Sequence, residues 1–92
     1  MNRLYNIEFT SKIDDMDEIG KLIQVISDKT KESIFFELID LNLITPFKLK
    51  VCIKFMMLIY DEKRHYLQVA DFLKKHIEPN INNEIWSYWI VQ

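Results

Sequence analysis

Residues 44–60 read ITPFKLKVCIKFMMLIY, and the fold turns on whether this stretch is a strand or a helix. From Phe47 to Phe55 every second residue is apolar. Phe47, Leu49, Val51, Ile53 and Phe55 share one phase, and Lys48, Lys50, Cys52 and Lys54 share the other. That is the period of a half-buried strand. Wound into a helix, the same apolar residues would spread nearly all round the axis, with Lys50 and Lys54 in a polar stripe and Lys48 off it. The counter-argument is Thr45 as a cap with Pro46 at the first helical position. Proline just before a strand is also allowed, however. The alternation favours the strand.

Upstream, residues 34–45 are ambiguous. As a strand, Phe35, Ile39, Leu41 and Leu43 share a face with Glu37 misplaced among them. As a helix, Ser33, Glu37 and Asp40 form a polar stripe, and this local pattern leans towards helix. Leu4 to Thr10 alternates with Tyr5, Ile7 and Phe9 on one face, the mark of a strand. Ser11 then reads as a helix start, with Asp14 completing a capping box. Met16, Ile19, Ile23 and Ile26 supply an amphipathic stripe, and the polar run Ser27–Ser33 should end that helix.

Downstream, Asp61 can cap a helix with the stripe Tyr66, Val69, Ala70, Leu73 and Ile77, stopped by Pro79. Residues 79–83 form an asparagine-rich loop. Residues 84–91, with IWSYWIV at their core, carry strong strand propensity with apolar residues on both alternating faces.

In order this gives β, α, β, β, α, β. That is an α+β domain on the ferredoxin-like split βαβ plan, with two helices on a four-stranded antiparallel sheet. If residues 34–60 form two helices instead, the alternative is a mostly α-helical bundle with short terminal strands. A chain of 92 residues fits a single compact domain, 1–92.

Composition narrows the function classes. Net charge is −2, which argues against a general nucleic-acid binder. The charge is uneven: residues 1–46 carry 5 basic and 9 acidic side chains, residues 47–76 carry 7 and 3. The single cysteine, Cys52, suits a reducing compartment. MNRLYNIEFT lacks the apolar core of a signal peptide, and the longest apolar run, Phe55–Tyr60, falls far short of the ~20 residues of a membrane span. A cytoplasmic protein with no membrane association is expected.

Catalytic machinery is sparse. Cys52, His65 and His76 sit in no local catalytic signature, though converging lysines would lower the pKa of Cys52. On one helix, His65 and His76 would lie about 16 Å apart along the axis, too far to share a metal ion. Both read as solvated helix-end residues. The only glycine, Gly20, falls in a helix, where it either packs closely or is merely tolerated, so no phosphate-cradling loop is available. Acidic residues 14–18 suit a first helical turn. No cofactor, no metal and no enzymatic activity are expected.

Two surfaces remain as binding candidates. One is the lysine ladder Lys48, Lys50 and Lys54. It reads either as protection of a sheet surface against aggregation or as a dock for an acidic protein or nucleic acid. RNA-recognition-motif domains share this element order, but the third strand here, KLKVCIKF, has no glycine and one terminal aromatic. A helix-turn-helix over residues 67–90 would leave its second helix without Lys or Arg. The other surface is the tail, Trp86, Tyr88 and Trp89, residue types that dominate binding hot spots and also fill cores. A homodimer through the C-terminal strand is one form it can take. The function expected is a small protein-interaction module that binds and modulates a macromolecular partner, as inhibitors, immunity proteins, antitoxins and phage-type host or defence modulators do. The alternative is a nucleic-acid-binding regulator using a basic face at residues 48–64.

Overall fold

The computed structural model describes residues 3–56 and 61–91. Its elements are β1 (Arg3–Ser11), α1 (Met16–Glu32), β2 (Phe36–Thr45), β3 (Lys48–Phe55), α2 (Glu62–Phe72) and β4 (Trp86–Val91). A π-helical turn, Leu73–Ile77, and a 3-10 turn, Glu78–Asn80, extend α2. The strands form one antiparallel sheet in the order β2-β3-β1-β4, with both helices on one face. The expected βαββαβ plan is therefore the fold, and the helical alternative is set aside.

The decisive stretch is a central strand. Leu49, Val51, Ile53 and Phe55 are all buried beneath the helices, while Lys48, Lys50, Cys52 and Lys54 face the other way. A strand paired on both sides has no freedom to slip without turning every apolar residue outward. Phe47 departs from expectation: it sits with Pro46 in the two-residue turn and is exposed. Thr45-Pro46 therefore opens a turn rather than a helix, and the Thr45 hydroxyl accepts a hydrogen bond from the Phe47 N–H at 3.1 Å. Residues 57–60, the end of the quoted stretch, lie outside the described residues.

Residues 36–45, within the stretch whose local pattern leans towards helix, form strand β2 instead, and the broken alternation that hid it has a specific cause. Leu38 pairs with Ile53 and Asp40 with Cys52, so Ile39 is an extra residue. Ile44 is a second, between Leu43 and Thr45. Each bulge shifts the side-chain phase by one residue. Phe36, Leu38, Leu41 and Leu43 therefore share the phase of the buried β3 residues, in place of the expected set beginning at Phe35 and Ile39, and Glu37 falls correctly outside.

Helix α1 starts later than expected. Asp15, not Ser11, is its cap, accepting from the Asp17 N–H at 3.0 Å. Ser11 ends β1, buried, with its hydroxyl bonded to Ile13 N–H and carbonyl. The helix also runs through the polar stretch to Glu32, and its buried stripe is Ile19, Leu22, Ile26 and Thr30, with Met16 exposed. Thr30 is tolerated there because its hydroxyl donates to the Ile26 carbonyl at 2.8 Å.

In α2, Asp61 caps as expected, accepting from the Lys63 N–H at 3.0 Å. The buried positions are His65, Val69, Phe72, Leu73 and Ile77, while Tyr66 and Ala70 are only half-buried. His65 is not solvated: it is 1% exposed, its ring 4.9 Å from Phe55 in an edge-on contact and 6.5 Å from Tyr5 in a stacked one. The core thus runs from Tyr5, Ile7 and Phe9 through the inner face of β3 to the two helices, and among the described residues nothing packs over the opposite face of the sheet. Among the described residues no helix is long and apolar enough to cross a membrane.

Candidate interaction surface

Strand register arranges the open face into rows. Glu37, Lys54 and Leu4 form the first. Asp40, Cys52, Asn6 and Val91 form the second, Asn42, Lys50, Glu8 and Trp89 the third, and Thr45, Lys48, Thr10 and Ser87 the fourth. The three lysines of the ladder do share this face. They do not form a purely basic patch, because their neighbours bring carboxylates. Lys48 Nζ lies 3.6 Å from Glu8 Oε1, and Lys54 Nζ lies 3.9 Å from Glu37 Oε2. Lys50, exposed, makes no ion pair among the described residues.

Cys52 lies on this face between Asp40 and Asn6. The lysines do not activate it. Partial burial and the Asp40 charge push its thiol pKa up instead of down. His65 lies on the other side of the sheet and His76 is exposed beside the helices, so the thiol and the imidazoles do not converge.

The aromatic tail is divided by the strand's alternation. Trp86 is 5% exposed and belongs to the core. Tyr88 points the same way and is half-buried, its ring 5.5 Å from Phe9 and its hydroxyl donating to Glu78 Oε2 at 2.7 Å. Burial, together with the Glu78 carboxylate, pushes the Tyr88 phenol up to about 12. Trp89 points to the open face and is 47% exposed. Leu4 and Val91, also exposed, accompany it there.

Two adjoining grooves on the helix side were not anticipated. One, of ≈350 Å³, runs between the end of α1 and α2 and is lined by Phe35, Phe36, Gln68, Phe72 and His76. The other, of ≈480 Å³, lies between α1 and the start of β2 and includes Thr30, Phe36, Leu38 and Met56. The only local trace of them is the apolar triplet Ile34-Phe35-Phe36 directly after a helix end. Comparison of the chain with protein-family models, with curated proteins and with solved structures finds no match.

Proposed function

We propose that this chain is a small protein-interaction module of the cytoplasm that binds a protein partner across the open sheet face and modulates it without catalysis, in the manner of inhibitors, immunity proteins, antitoxins and phage-type host or defence modulators. The observation that carries this reading is the exposure of Trp89, Leu4 and Val91 on a sheet face that also carries paired lysines and carboxylates. An exposed tryptophan anchors interfaces well, because it contributes a large apolar area with little side-chain entropy to lose. The mixed charges around it set orientation and choice of partner more than affinity.

The test uses wild type, Leu4→Ala and Trp89→Ala, each first shown to be folded, as baits in the native cell extract. A protein recovered with wild type and lost with both variants supports the reading. Equal recovery with all three baits rules out this face.

The second reading, a nucleic-acid-binding regulator, rests on Lys50, the ladder lysine that makes no ion pair among the described residues. Lys48, Lys54 and Arg64 each meet a carboxylate, which leaves little net positive field for a phosphate backbone. Binding that weakens steeply with salt would be its signature.

A further inference from the structure

The two edges of the sheet are treated differently. The β2 edge carries two bulges, at Ile39 and Ile44, and the charged residues Glu37 and Asp40. These are the devices that stop another strand from adding to an edge. The β4 edge carries none of them. Trp86–Val91 contains no charge and no proline, and its register with β1 is unbroken from Asn6↔Val91 to Ser11↔Trp86.

Backbone parity shows which groups on β4 are free. The Lys12 N–H donates to the Ile85 carbonyl at 3.0 Å, so in this antiparallel pair the odd residues of β4 bond to β1. Trp86, Tyr88 and Ile90 therefore turn their N–H and C=O groups towards the free edge. The Trp86 N–H is already taken by the Asn82 carbonyl at 3.0 Å. Among the described residues this leaves the Trp86 carbonyl and, on Tyr88 and Ile90, two donors and two acceptors.

We propose that two copies of this chain pair antiparallel through β4 about a two-fold axis, with Trp89 opposite Trp89 of the second copy. In that register Tyr88 lies opposite Ile90 of the second copy, and the four donors of these two residues in the two copies meet their four acceptors. A two-fold register with Tyr88 opposite Tyr88 would call on the Trp86 N–H that Asn82 holds, and one with Ile90 opposite Ile90 would pair only Ile90 within the described residues. Trp89 then occupies a non-hydrogen-bonded pair, where Cα atoms approach to about 4.5 Å and side chains touch most closely. The two indole rings cover each other on the open face. The absence of charge along β4 removes repulsion between like copies and offers nothing to a strongly charged partner strand. The bulged β2 edges prevent the resulting eight-stranded sheet from growing further, so the assembly closes as a dimer. The dimer shares Trp89 with the partner-binding reading, whose other anchor, Leu4, has no β4 neighbour in the register and so reports on the partner alone.

The experiment is light scattering across a concentration series, followed by cross-linking in a Cys52→Ser background. The expected mass rises from the 11.2 kDa chain towards twice that value. Trp89→Lys should raise the dissociation constant at least about tenfold, by setting two ammonium groups opposite each other. A mixture of Ser87→Cys and Val91→Cys should form disulfide-linked dimers on oxidation, while neither variant alone should. A mass that stays at one chain at every concentration overturns the proposal. So does a dimer that Trp89→Lys leaves intact, which would point to another surface. Self-linking of Ser87→Cys alone would overturn the register. A mixed complex that forms only with a different strand-bearing protein would replace the second copy as occupant. Leu4→Ala should leave the dimer unchanged even if it loses the partner, which separates the two readings.

Discussion

The Tyr88 hydroxyl donates a 2.7 Å hydrogen bond to Glu78 Oε2, tying the edge strand β4 to the 3-10 turn that follows the second helix. Burial and the carboxylate together hold the phenol up at about 12, against 10.0 for a free tyrosine. A raised pKa means that the folded state keeps its proton more tightly than the unfolded chain. The contribution is therefore complete below pH ~10 and is lost as pH rises towards ~12. Tyr88→Phe should lower stability at neutral pH by about 1 kcal/mol. The variant should also show a shallower loss of stability above pH 10. Urea titrations of both proteins between pH 7 and 11 measure this, and parallel pH profiles would exclude the coupling.

The two tryptophans should differ sharply in their response to truncation. Trp86→Ala empties a buried site and should cost about 3–5 kcal/mol, enough to unfold much of a domain whose total stability is about 5–10 kcal/mol. Trp89→Ala removes a half-exposed ring and should change monomer stability by less than about 1 kcal/mol. Thermal melts of the two variants at low protein concentration decide the matter.

Gly20 lies on the exposed side of α1, and a methyl group added there would meet nothing within 4 Å. Close packing is thus not its role. Gly20→Ala should stabilise the protein by about 1 kcal/mol through helix propensity alone. An unchanged or lowered denaturation midpoint would contradict this.

Cys52 should be a slow thiol. Its half-buried position and its pairing with Asp40 both disfavour the thiolate. At pH 7.5 the folded protein should react with a thiol reagent several-fold more slowly than urea-unfolded chain, and Asp40→Asn should speed the reaction. Insensitivity to Asp40→Asn would show that burial acts alone.

The carboxylates of the open face should mask the ladder. Glu8→Gln combined with Glu37→Gln frees Lys48 and Lys54 beside Lys50. The double variant should bind single-stranded nucleic acid in 20 mM salt more tightly than wild type, with the gain disappearing at ~200 mM. Equal binding by the two proteins would mean that the pairs contribute nothing to the field.

Strand β3 was legible because a central strand with one buried face must alternate without interruption, and Leu49 to Phe55 does. Strand β2 was not, because its two bulges break the phase that alternation relies on. The start of α1 was misplaced because Ser11 offers the chemistry of a cap but spends it on Ile13 at the strand's end. Of the candidate surface, the shared direction of Lys48, Lys50 and Lys54 was readable from period two. Their neutralising partners were not, since Glu8 and Glu37 come from other strands.

Local spacing by itself determined strands β1, β3 and β4 and the two helices, because side-chain periodicity is a property of consecutive residues; that residues 36–45 are the remaining strand was decided by pairing with β3. Only the tertiary structure decided that Trp86 is core and Trp89 surface, that Cys52 faces a carboxylate, and that His65 is buried against Phe55. Each of those outcomes depends on which distant strand or helix lies alongside. That is set by register and packing across the whole sheet, and no run of neighbouring residues encodes it.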